Sequence, residues 1–311
     1  MNTYKTIFSV NVFITLAVIY LVTPFTSLSQ TLKSNPLPIS QHPDYSNHIR
    51  FALSGENNPR WAEKAAYLQE LLLLALDKSG REYTAESVIL PDVVSSRRAK
   101  LLEEGVFHVT WMHTNAKLEQ NSRPIRIPLF KGLIGLRLFF VRSNDLNRFA
   151  NISTVEQLKL PFAGQGADWT DAQILEHNQF NLVTALNNDK LLDMLQHSRF
   201  DYFPRAVLEI WYEDSLNKLD NISVEPTLAI HYPTALYFFV ANENNALART
   251  IELGLNRCLA DGSFDQLFNR YFSMDIAKAD IAKRRIFTID TAESSSFLPT
   301  ERKELWFSFD N

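Results

Sequence analysis

The sequence predicts an α/β protein built as two doubly wound lobes joined by two crossover strands, and three observations carry the prediction. Short apolar segments of β-prone residues alternate with helical segments of 3.6-residue period from residue 49 to residue 272. Two runs rich in Phe, Tyr, Leu and Val, 132–142 and 235–240, are bounded by Pro128 and Gly132 and by Pro233, so each reads as a single extended strand. Roughly a hundred residues of the same alternation separate them, about the chain one lobe requires. The first run therefore leaves lobe one and the second returns to it.

Residues 1–29 read as a cleavable signal peptide. Lys5 is the only charge ahead of an almost wholly apolar run at 7–22, Pro24 breaks that run, and Ser27 and Ser29 are the small residues a cleavage site needs. An uncleaved membrane anchor is the alternative, although the run is shorter than the ~20 residues of a spanning helix and contains Asn11. The signal-peptide reading makes the mature chain a secreted one. Residues 30–48, with Pro36, Pro38 and Pro43, form an irregular lead-in.

Lobe one, in its first part, covers 49–140. A strand at 49–53 and a loop at 54–58 lead to a helix that Asn58 caps and Pro59 opens. Trp61, Ala65, Leu68, Leu72 and Ala75 form one apolar stripe down that helix, which Gly80 ends. A strand at 86–90, a helix at 97–104 stopped by Gly105, and an apolar strand at 106–111 follow. In an open sheet of this kind the ligand site lies beyond the carboxyl ends of the strands, which puts the loops 54–60 and 111–114 at a cleft.

Lobe two covers 141–233. Ser153 and Glu156 have capping-box spacing, 160–164 reads as a strand, and Asp168 caps a helix carrying Trp169, Ile174 and Leu175. A helix with Leu191, Leu192 and Leu195 precedes a strand at 200–203, and Pro204 opens the next helix with Val207, Leu208 and Trp211. Lobe one resumes at 234–274. Its long helix from Asn245 buries Leu247, Ile251, Leu255 and Cys258 and closes at Gly262, and Ser263 with Gln266 forms a second capping box. The tail, 275–311, holds enough apolar residues to pack on a lobe.

Composition excludes several functions. A formal charge of -4 argues against a general nucleic-acid binder. Cys258 stands alone, so no internal disulfide exists, and it reads as a small buried apolar residue. The seven histidines lack metal-ligand spacing, Gly164 and Gly166 lack the third glycine of a dinucleotide loop, and no Gly-x-Ser-x-Gly is present. No catalytic residue, metal or cofactor is expected.

The segments 105–109, 152–158, 199–202 and above all 261–272, in that order along 49–272, resemble the type 2 periplasmic solute-binding proteins of ABC transporters, particularly the amino-acid-binding branch. The resemblance implies a monomer that closes two lobes on a small polar solute, anionic or amino-acid-like. It would present that solute to an inner-membrane ABC permease or, in a sensing role, to a receptor ectodomain. Two departures stand out: Arg123 and Arg126 are both offset from the family's carboxylate-binding arginine, and Phe203-Pro204-Arg205 replaces the segment that carries its ammonium-binding acid.

The candidate ligand-binding residues are Arg60, Trp111, His113, Thr114, Arg126, Trp169 and Arg205. Arg205, read in the first turn of a helix, calls for an anionic neighbour, which is either the ligand, Glu209 at i+4, or Asp201. Arg126 lies on the opposite face from Ile125 and Ile127 and points either to the cleft or to solvent. Trp111 serves either as a stacking face or as core, and Trp169 reads as a lid or wall. A secreted hydrolase or lyase is the competing class, for which His113, Glu119 and Glu56 are the only acid/base candidates.

Overall fold

The structure, a computed structural model, describes residues 47–53, 59–90, 95–167, 169–186, 190–216, 221–291 and 298–309. The signal peptide, the lead-in as far as residue 46, the loop 54–58 with its Asn58 cap, and the Asp168 cap lie outside these residues.

The chain opens the first sheet with β1 (His48–Leu53), and α1 (Pro59–Lys78) returns it to β2 (Thr84–Ile89), parallel to β1. Ala65, Leu68, Leu72 and Ala75 are buried as their spacing requires, and Gly80 ends the helix at φ +78°. α2 (Ser95–Glu103) leads to β3 (Val109–His113), parallel to β1 on its other side. The sequence places this strand two to three residues too early. α3 (Ala116–Asn121), capped by Asn115, turns the chain into β4 (Ser122–Ile125).

Residues 126–135 carry the chain to β5 (Leu136–Arg142) in the second sheet. Then come α4 (Leu146–Ala150), α5 (Val155–Lys159), β6 (Ala163–Gly166), α6 (Thr170–His177), β7 (Leu182–Ala185), α7 (Leu191–Gln196), β8 (Tyr202–Ala206), α8 (Ile210–Leu216), β9 (Ile222–Val224) and β10 (Leu228–His231). The capping box of α5 is formed by Thr154 and Gln157, one residue beyond the expected Ser153 and Glu156. Residues 232–235 return the chain to β11 (Leu236–Ala241), antiparallel between β3 and β4. α9 (Asn245–Ala260) and α10 (Ser263–Ala279) cover the first sheet. Gly262 at φ +77° is the N-cap of α10, so Ser263 lies inside the helix and the second capping box is not made. β12 (Arg285–Thr288) pairs in parallel with β10.

Among the described residues the first sheet runs β2-β1-β3-β11-β4, and the second β12-β10-β5-β8-β6-β7 with β9 beside β5. The crossings themselves are 126–135 and 232–235, and the two apolar runs supply the strands that flank them. These crossings touch. The Tyr232 N–H donates to the Gly135 carbonyl at 3.2 Å, and a Cβ at Gly135 would sit 2.1 Å from the Tyr232 carbonyl oxygen. Only glycine permits that approach.

β8 departs most from expectation. Pro204 and Arg205 extend the strand and open no helix, because the Pro204 carbonyl faces β6, where it accepts from Gln165 at 3.5 Å. In a strand the N–H and carbonyl of one residue point the same way, and β6 pairs with β8 only at Ala163–Tyr202. The donor that proline lacks therefore falls where the ladder has already ended.

Candidate functional site

Charged side chains from both sheets meet where β5 begins and β8 ends. Arg137 follows Leu136 into β5 and is 4% exposed, so its charge needs partners. Its Nε donates to Tyr232 Oη at 2.6 Å, its Nη2 lies 2.7 Å from Asp171, and its Nη1 lies 3.7 Å from Glu209. Tyr232 Oη donates in turn to Asp171. Asp171 stands in the first turn of α6, where the helix dipole favours a carboxylate.

Arg205 forms the second half of the cluster. Its Nε and Nη2 donate to the two oxygens of Glu213 at 2.7 and 2.6 Å, and Nη2 also lies 3.0 Å from Glu209. The guanidinium packs over Trp169 at 4.7 Å and Phe203 at 5.2 Å, and these two rings are stacked on each other at 17°. Burial alone would lower the Arg205 pKa, but Glu213 and Glu209 raise it above the ordinary value. Burial likewise opposes the Glu209 charge, and Arg205, Lys64 and Arg137 nevertheless hold its carboxyl below the usual range. Arg205 is thus no cation in a helix first turn waiting for an anion. Its fork is filled by protein carboxylates.

The first sheet contributes His113, at the end of β3, and Lys64, from the second turn of α1. Burial lowers the His113 pKa, with Arg137 adding to the fall and Asp171 and Glu209 opposing it. Lys64 is buried, which lowers its pKa against the pull of Glu209 and Glu213. Arg137 and Arg205 thus share Asp171, Glu209 and Glu213, and Lys64 adds to the field that acts on Glu209. One buried polar atom beside Arg205, among the described residues, lacks a protein partner: Gln165, 1% exposed and donating its Nε2 to the Pro204 carbonyl, leaves its Oε1 unbonded. An unpartnered buried acceptor of this kind is what a bound polar molecule satisfies.

The expected residues divide. His113, Trp169 and Arg205 lie in the cluster. Trp111 is buried in the first core, where its carbonyl accepts from Arg98 at 3.2 Å, so the core role holds. Thr114 and Arg126 both bond to Glu119, with Arg126 half exposed opposite the buried Ile125 and Ile127. Arg60 lies in the first turn of α1, and its side chain is outside the described residues. Sequence reasoning missed Arg137, Tyr232, Glu213, Lys64 and Gln165. One signal was present, since an arginine inside the apolar run of β5 has to be paired once buried. No group of three or more His, Cys, Asp or Glu among the described residues is placed to hold a metal.

No protein-family model matches the sequence, and no curated protein does. Solved structures match the architecture. The probable amino-acid ABC transporter extracellular-binding protein of Bacillus subtilis superposes with a TM-score of 0.58 at 16% identity, covering 73% of this chain and 98% of that one. The fold is that of a type 2 periplasmic binding protein. A Salmonella typhimurium periplasmic binding protein of high arginine specificity gives 0.53 at 17% identity over 73% of this chain and 100% of its own. The GluR0 ligand-binding core of Nostoc punctiforme, in complex with L-glutamate, gives 0.51 at 14% over 72% and 99%.

Proposed function

We propose that the protein is an extracytoplasmic solute-binding protein. It captures a small amino-acid-like solute between a first lobe built on the sheet β2-β1-β3-β11-β4 and a second built on the sheet that holds β5 to β10 and β12, so that 136–140 go with the second lobe and not, as expected, with the first, and hands it to a membrane partner. The observation that carries this reading is the buried cluster of paired charges assembled from both sheets. A zwitterion needs a cation and a carboxylate at one place, and closure on it exchanges some protein pairs for ligand pairs, so the solute shifts an open to closed equilibrium. The names of the similar structures, an amino-acid ABC transporter component, an arginine-specific protein and a glutamate complex, agree with that class. They also agree with a periplasmic location, to which a cleaved segment at 1–29 would direct the chain.

The partner is an ABC permease on this reading. One observation favours a sensing role: a histidine kinase sensor domain similar to periplasmic binding proteins superposes at 0.51 over 72% of this chain. Catalysis has less support, because Glu213 and Glu209 are both paired with Arg205 and burial lowers the His113 pKa, which leaves no free acid/base pair among the described residues of the cluster. A thermal-shift screen of the L-amino acids, dicarboxylates and short peptides tests the proposal. A saturable rise in melting temperature is expected from at least one amino acid. No rise from any of them refutes the proposal, and chemical turnover of a hit replaces it with an enzyme.

A further inference from the structure

The geometry points to Arg205 as an internal occupant of a cation subsite: its guanidinium fills the place that the side chain of a basic amino acid would take, and so excludes arginine-like solutes from the cleft. This inference rests on the reading of the cleft as an amino-acid-like site and adds which solutes it refuses.

A site for a free guanidinium needs a carboxylate that meets its fork in two parallel bonds, further negative charge nearby, and an aromatic face to lie on. All three surround Arg205. Glu213 takes the fork at 2.7 and 2.6 Å, Glu209 stands 3.0 Å from Nη2, and the stacked Trp169 and Phe203 rings lie beneath at 4.7 and 5.2 Å. The residue is 9% exposed, so this is a filled pocket and not a surface bridge. Charge makes the same point. Removing Arg205 takes away the guanidinium that meets both Glu213 and Glu209, and an outside guanidinium would be drawn in to supply that charge.

A purely structural ion pair would tie α8 to β8, and its removal would leave room for methylguanidinium but not for a whole amino acid. Uptake of L-arginine by the variant separates the two. The Arg205→Ala protein should melt roughly 10 °C below the wild type. Methylguanidinium and L-arginine should restore its melting temperature saturably, with equal sodium chloride as the ionic-strength control, and should bind it at one site by calorimetry. The wild type should take up neither, and Arg205→Met, which fills the space with apolar atoms, should not be rescued. If R205A does not fold, Arg205→Gln repeats the test with a smaller rise, since it leaves part of the Glu213 fork open. Binding of L-arginine to the wild type within tenfold of its affinity for the variant overturns the inference, as does a variant that ignores L-arginine. A wild type that binds no amino acid, beside an R205A that takes up L-arginine, refutes the solute-binding reading and leaves the subsite standing. Neutral amino acids bound by the wild type, with L-arginine ignored by R205A, do the reverse.

Discussion

Glu213 meets Arg205 across eight residues, a spacing that no single helix brings together side by side. The partner is illegible in the sequence as long as Pro204 reads as a helix start. A strand through Ala206 followed by a turn, in which the Glu209 N–H donates to Ala206 at 2.8 Å, folds α8 back so that Glu213 reaches the guanidinium. The Glu209 contact was legible, because i and i+4 remain close through that turn. Glu213→Ala is expected to cost about 3–5 kcal/mol in urea unfolding, since it strips the fork of a buried cation. His113 sets a second expectation. Its pKa is lowered by burial from 6.5, so the unfolded chain protonates first as pH falls, and stability is lost below about pH 6.5. His108 and His231 are shifted the same way by burial and contribute to the same window. His113→Asn should flatten the fall in melting temperature between about pH 7.5 and 5 without removing it. The Glu209 contribution has the opposite form. It is lost only as pH falls through the depressed carboxylate range, below the histidine window.

Helices proved more legible than strands, for a physical reason. α1, α9 and α10 each bury a long stripe whose 3.6 period survives in the sequence, whereas β4, β7, β9 and β10 have three or four residues each and show no alternation. Sheet neighbours decide such strands. β9 and β10 both lie against β5, and the buried Glu225 holds the kink between them by accepting from the N–H groups of Thr227 and Leu228. What periodicity could not show is how closely α1 and α9 approach. Gly254 faces Ala75, and an added Cβ would stand 1.8 Å from the Ala75 carbonyl oxygen. Gly254→Ala should therefore push the helices apart and cost about 1–3 kcal/mol, read as a lower urea midpoint at an unchanged slope.

The two sheets are joined by more than the two crossings. After α10 the chain adds β12 to the second sheet and then returns along the crossings themselves. The Phe307 N–H donates to Lys131 at 2.8 Å, Trp306 lies against Gly132, and Phe309 packs on His231 at 5.0 Å, while Leu305 is 1% exposed. The sequence suggested that the tail packs somewhere, from its apolar content, but gave no sign that it straps the connections between the sheets. Removing residues 298–311 should lower the melting temperature by roughly 5–10 °C through the lost Leu305 and Trp306 burial. Calorimetric titration of the L-amino acids into the wild type and into Asp171→Asn decides whether the charged junction is a binding site. One saturable site per chain is expected, weakened roughly tenfold or more by the loss of the Asp171 charge. A folded wild type that gives only heats of dilution with every L-amino acid would contradict it.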